Sequence, residues 1–193
     1  MPYNAAVPEA TDFGLGAWTL DPATCIVSGS FVATSWYLAS FVWKTGDLSV
    51  APFPTRILIP NVIVGSWTLL QVGIVNQDPV GNNAAGTVLA SSTPTLPTAG
   101  VTSQVITPIA AAPSVLPQGR YWVIANVTGT TGTALAASNP GTSGSLGTNM
   151  GTDTAHARFG IAGATGASLP ASIVPANIVS TTSAGLCLCA GVL

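Results

Sequence analysis

Charge is the first thing this sequence lacks. Of 193 residues only four are Lys or Arg and six are Asp or Glu, 5% of the chain, where an ordinary soluble domain carries about 25%. A formal net charge of −2 with no basic cluster speaks against nucleic acid as a partner, because holding a phosphate backbone takes several positive groups. The same shortage removes the polybasic patch that would hold an anionic membrane surface. Long apolar runs are missing too. Stretches such as RILIPNVIVG are broken by Pro, Gly or Asn, so no segment reads as a spanning helix. The opening MPYNAAVPEATD has neither the basic region nor the apolar core of a secretory signal, and synthesis and folding in a cytosol are expected.

The residues that usually carry chemistry are scarce and scattered. His156 is the single histidine, so every Ser–His–acid scheme must use it, with Asp153 three residues before it. The nearest thing to a nucleophile elbow is GASLP (166–170), which ends in Pro where G-x-S-x-G requires Gly. A lone histidine beside a Gly/Thr-rich stretch reads as a solvated polar residue. Paired carboxylates for glycoside cleavage would come from Glu9, Asp12, Asp21, Asp47, Asp78 and Asp153, which stand isolated and mostly in turn contexts. Cys25, Cys187 and Cys189 are an odd set with no CxxC. In LCLCAGVL two of them share one face of a strand, and with His156 they make a nominal Cys₃His set. Its spacing is wrong for structural zinc, and small buried hydrophobes is the stronger reading. DPVGNN (78–83) is a turn rather than a calcium loop, and no Walker A or Rossmann fingerprint occurs. The sequon Asn126–Val–Thr128 reads as incidental without a signal peptide. The expectation is a protein with no catalytic residues, no metal and no cofactor.

What fills the chain instead is 24 Thr, 17 Ser, 21 Gly and 15 Pro. Glu and Lys occur once each, as Glu9 and Lys44, so helix formers other than Ala and Leu are nearly missing. Val, Ile and Thr suit a pleated surface. Residues 1–30, with Pro2, Pro8 and Pro22, read as an extended N-terminal arm. Phe13, Leu15, Trp18 and Leu20 are costly to leave in water, so the arm is expected to pack on its own domain or on a neighbouring subunit. From residue 31 to 193, strand-like segments alternate with Gly/Pro turns: 31–43, 56–64, 67–75, 87–91, 103–107, 120–127, 157–163 and 186–193. That pattern predicts an all-β, antiparallel β-sandwich, jelly-roll-like, with no repeat of fixed period. Pro60–Asn61 marks an edge strand, a bulge or a break. The low-complexity segment 128–154, with six glycines, is too long for a hairpin loop and is either mobile or ordered by an assembly contact.

One stretch, LPQGRYWVIANV (116–127), places Arg120 beside two aromatics. Pro117–Gln–Gly119 is a turn, after which Tyr121, Val123, Ala125 and Val127 share one face and Trp122, Ile124 and Asn126 the other. Both faces are largely apolar, so the strand is expected to be central and covered on both sides. Arg120 at its mouth reads as a capping or interface charge. Aromatic platforms can hold glycans, but Trp36, Trp43, Trp67 and Trp122 stand in apolar strands and read as core.

Several segments together resemble a β-sandwich module that recurs in minor tail and other virion proteins of tailed phages, notably those infecting actinobacteria. The matching residues are Gly86–Thr–Val–Leu–Ala–Ser91, Leu116–Pro–Gln–Gly119–Arg–Tyr121–Trp122–Val123, Ala157–Arg158–Phe159 and Leu169–Pro170–Ala–Ser–Ile173, in that order. The likeness covers roughly residues 36–193, and residues 1–35 fall outside it. What the resemblance implies is a fold and a place on a virion, with no catalytic residue carried over. A minor tail or tail-tip component made in the host cytoplasm is then expected, forming homo-oligomers, as trimers, and joining other virion proteins. A host-surface glycan is a further expected contact. Phe13, Leu15, Trp18, Leu20 and Arg120 are the expected interface residues. A capsid decoration or head-fibre protein is the structural alternative, and a glycan-binding module or cell-wall depolymerase the alternative of another class.

Overall fold

The computed structural model of the chain describes residues 10, 15–19, 26–27, 36–44, 50–64, 67–77, 85–109, 113–129, 136–138, 159–162, 168–173, 178–180, 187–188 and 190–193. These residues are mostly strand, with no α-helix among them. In chain order the strands are β1 (Ala17–Trp18), β2 (Ile26–Val27), β3 (Trp36–Trp43), β4 (Val50–Pro52), β5 (Arg56–Ile63), β6 (Trp67–Gln77) and β7 (Ala85–Ser92). There follow β8 (Thr102–Pro108), β9 (Val115–Pro117), β10 (Gly119–Gly129), β11 (Ala136–Ser138), β12 (Phe159–Ala162), β13 (Ile178–Ser180), β14 (Cys187–Leu188) and β15 (Gly191–Val192).

Two antiparallel sheets form the body. The larger has the order β13-β12-β3-β10-β6-β7, the smaller β1-β15-β5-β8. A ribbon, β4-β9, and a small sheet, β14-β11-β2, complete the set. The all-β sandwich expected from the sequence is the architecture observed. Its pairings nest: β6 with β7, β5 with β8, β4 with β9 and β3 with β10. The run from β3 to β10 is one long hairpin rolled over on itself.

The core follows from sequence period. On β10 every residue from Tyr121 to Val127 is buried, which a strand without charge on either face permits. One face carries Tyr121, Val123, Ala125 and Val127, packed with Phe41, Leu70, Val72 and Ile74 from the same sheet and Ile57, Ile59, Val105 and Val192 from the facing one. Tyr121 lies opposite Phe41, ring centroids 6.0 Å apart and tilted 32°. The other face carries Trp122 and Ile124 with Trp36, Leu38, Val75 and Ile173. Segment 168–173 lies against that second face. The Leu169 amide donates to Gln71 Oε1 (3.1 Å), Val88 to the Ala171 carbonyl (3.0 Å) and Ile173 to the Gly86 carbonyl (2.9 Å).

Pro60 and Asn61 prove to be a bulge. The register of β5 on β8 shifts between Ile59 and Val62, where proline has no N–H to give to a ladder. In 31–43 the strand described begins at Trp36 and 31–35 lie outside the described residues. Within 128–154, Thr128 and Gly129 end β10, and Ala136–Ser138 pair with β2 and β14 of the same chain. The rest of that segment lies outside the described residues.

Of the arm, residues 15–19 are joined to the smaller sheet. Ala17 pairs with Val192, and Gly16 N–H donates to the Val192 carbonyl (2.8 Å). Thr19 N–H donates to the Ala190 carbonyl (2.8 Å), and Ala190 N–H returns to Thr19 Oγ1 (2.9 Å). Two glycines allow the close fit. A Cβ at Gly16 would lie 2.5 Å from the Trp43 ring, and one at Gly191 would lie 2.9 Å from the Leu15 side chain.

Candidate functional site

The interface residues expected from the sequence are distributed as follows. Phe13 and Leu20 lie outside the described residues. Leu15 is buried within its own chain, against Gly191, and Trp18 is half-buried on β1. Arg120 stands half-buried at the start of β10. Its Nη2 donates to Ser40 Oγ (3.1 Å) and its Cζ lies 5.2 Å from the Trp122 ring centroid. The register explains both contacts. Ser40 is directly opposite Trp122, and Arg120, two residues earlier on the same face, reaches over the pair. A cation over an indole is worth about 0.5–2 kcal/mol, so Arg120 acts as a lid on a completely buried tryptophan. Val42, directly opposite Arg120, is exposed.

The turn before β10 is tied to the core by Tyr121. Its hydroxyl donates to the Pro117 carbonyl (2.9 Å), and burial pushes the phenol above its usual 10.0. The stretch LPQGRYWV is therefore a corner, with Tyr121 bracing it from inside and Arg120 closing it from outside.

The described residues include three charged side chains, Lys44, Arg56 and Arg120; all six acids and His156 lie outside them. The Ser–His–acid and paired-carboxylate readings thus fall on residues that are not described. Cys187 belongs to β14, while Cys25 and Cys189 are also outside. Among the described residues no three His, Cys, Asp or Glu side chains group as metal ligands. Nor is any helix among them long and apolar enough to cross a membrane. Trp36, Trp43 and Trp122 are core residues, as are Tyr37 and Tyr121, so these rings are not open to stack on a sugar. Asn126 of the sequon is 1% exposed in the middle of a central strand, out of reach of a glycan-transferring enzyme in the folded chain.

An open feature of the described surface lies elsewhere. A cleft of about 710 Å³ runs between residues 92–98 and β8, with Thr93, Thr95, Pro97, Gln104, Ile106 and Pro108 among its walls and no charged side chain in its lining. Ser92 and Thr107 share a hydroxyl–hydroxyl bond (2.8 Å) across it. Pro94 and Pro97 prevent 92–98 from pairing with β8 as a regular strand. No motif points to this cleft in the sequence. The signal that was there is the lack of any charge from Val101 to Gly119. No protein-family model matches the chain, and no curated protein matches it either.

Proposed function

We propose that the chain is a non-enzymatic structural protein of a tailed-phage virion, a minor tail or tail-tip component that assembles as a homo-oligomer with other virion proteins. The observation that carries this reading is the convergence of the motifs behind the resemblance. Gly86–Ser91 belongs to β7, and Ala171 and Ile173 of the LPASI segment hydrogen-bond along its edge. The Gly119–Val123 part of the second motif opens β10, and Phe159 opens β12; both strands flank β3. Segments scattered over nearly 90 positions, from Gly86 to Ile173, thus meet on one six-stranded sheet. Motifs that meet as strands and turns describe a folding unit, which is what a virion module shared among structural proteins would preserve. A charge-poor surface also supports assembly, since it can be covered without stripping water from many ions.

The test is the particle itself. Mass spectrometry of purified virions should find the chain in a fixed copy number, and a virion map should place its density on the tail. Absence from washed particles would sink the reading, and density on the head would turn it into a decoration protein.

A further inference from the structure

We infer that the β8 edge, continued by β9, is the surface through which two copies of this chain join, strand edge to strand edge. This deepens the reading of the chain as an assembling protein and rests on it. The first observation is which sheet edges are open. Along β7, the end of the larger sheet, Val88 and Gly86 are bonded to Ala171 and Ile173. β13 has three residues and β1 two, whereas β8 has seven. It is the longest open edge among the described residues.

The second is where its polar groups point. Arg56 of β5 and Leu193 exchange both backbone bonds (3.2 and 3.0 Å), so the polar groups of Arg56 face away from β8. Alternation then turns those of Ile57 toward Thr107, its partner on β8. The N–H and C=O of Ile106 consequently point outward, into the cleft beside 92–98. They have no backbone partner among the described residues.

The third is chemistry that selects the partner. Edges of natural sheets are commonly guarded by lysine or other charges. From Val101 to Gly119 none occurs, and proline is the only guard. A twofold contact sets a surface against itself, so any charge on it meets its like; this edge meets none. The same charge-free stretch carries three of the four large exposed hydrophobics among the described residues: Ile106 (49%) on β8, Val101 (50%) just before it and Val115 (45%) on β9. An acidic or basic partner would find nothing to pair with here, while a second copy brings the same hydroxyls, prolines and aliphatic groups. Two four-stranded sheets would then run on as one of eight strands, 4 + 4.

Sedimentation of the purified chain over a concentration series tests this. The wild type should reach twice the monomer mass. Ile106→Lys puts a charge on the edge, and Ile106→Pro removes the outward N–H; each should weaken association at least tenfold with unchanged circular dichroism. The Ile106 amide should exchange more slowly as the wild-type concentration rises. If Ile106→Pro fails to fold, Ile106→Lys still decides, because that side chain is already exposed. A dimer or trimer that neither variant weakens places the contact elsewhere and overturns the edge while leaving oligomeric assembly intact. A wild type that remains monomeric at its solubility limit also overturns it, including when the Ile106 amide becomes protected only inside particles, which would name a different virion protein as occupant. The virion reading itself stands or falls separately, on whether the chain is found in particles.

Discussion

Asn126 sits within β10 with neither end of its amide hydrogen-bonded among the described residues, and the indole N–H of Trp122 on the same face is likewise unpaired among them. The two are not equivalent. Leaving a buried polar group unpaired costs about 1–3 kcal/mol. Burying an indole returns roughly 4–6 kcal/mol, from about 200 Å² at about 25 cal/mol per Å², so Trp122 is a net gain. Asn126 has little apolar surface to offset its cost. Asn126→Leu, close in shape, is therefore expected to leave stability unchanged or raise it by about 1–2 kcal/mol in urea unfolding; a loss above that size would reveal a partner for the amide. Thr19→Val is the converse case. It keeps the shape but removes the acceptor of the buried Ala190 N–H, and a loss of about 1–3 kcal/mol is expected. Tyr121 gives a pH dependence. Its folded pKa is raised by burial above the ordinary 10.0, so its contribution is complete below pH 10 and is lost as pH rises from there through the folded value. Tyr121→Phe should cost about 0.5–1.5 kcal/mol at pH 8 and flatten the alkaline limb. An unchanged limb would assign it to another group.

Among the elements, the strands apolar on both faces were the legible ones. WYLASFVW and RYWVIANV are apolar on both faces, and β3 and β10 lie side by side within the six-stranded sheet. On β6, Leu70, Val72 and Ile74 share one face and are buried, following the period of two, and Thr68, on that same face nearer the strand's start, is exposed. β8 alternates too, but there apolarity does not mark the inner face. Its buried residues are Val105 and Thr107, and Ile106 is outside. Thr107 can be buried because Ser92 takes its hydroxyl, a bond no pattern within β8 announces. The 168–173 segment was legible as a turn motif but not as a cover, since its partners Gln71, Gly86 and Val88 lie some 80 to 100 positions earlier. Its contribution is measurable. Ile173 is buried beside Trp122, and Ile173→Ala should cost about 2–5 kcal/mol. The loosened cover should shift tryptophan emission to the red and increase acrylamide quenching. Unaltered quenching would mean that other residues shield the ring.

At the scale of the whole molecule, nesting decides how the chain comes together. Each outer pair, β5 with β8 and then β3 with β10, spans more sequence than the one inside it, so little of the fold is local. Proteins dominated by such pairings refold in milliseconds to seconds rather than microseconds, and stopped-flow refolding is expected in that slower range. Which strands pair was not legible, because the hydrophobic pattern fixes a face and leaves the partner open. The placement of β15 between β1 and β5 has a consequence during synthesis. Thr55 bonds Leu193 across 138 positions, and a ribosome adding about 5–20 residues per second needs about 7–28 s to cover them. Until then one side of β5 lacks its partner strand, within reach of the nascent chains on the same messenger. A slow stretch of translation downstream would lengthen that exposure, and a fast one would shorten it.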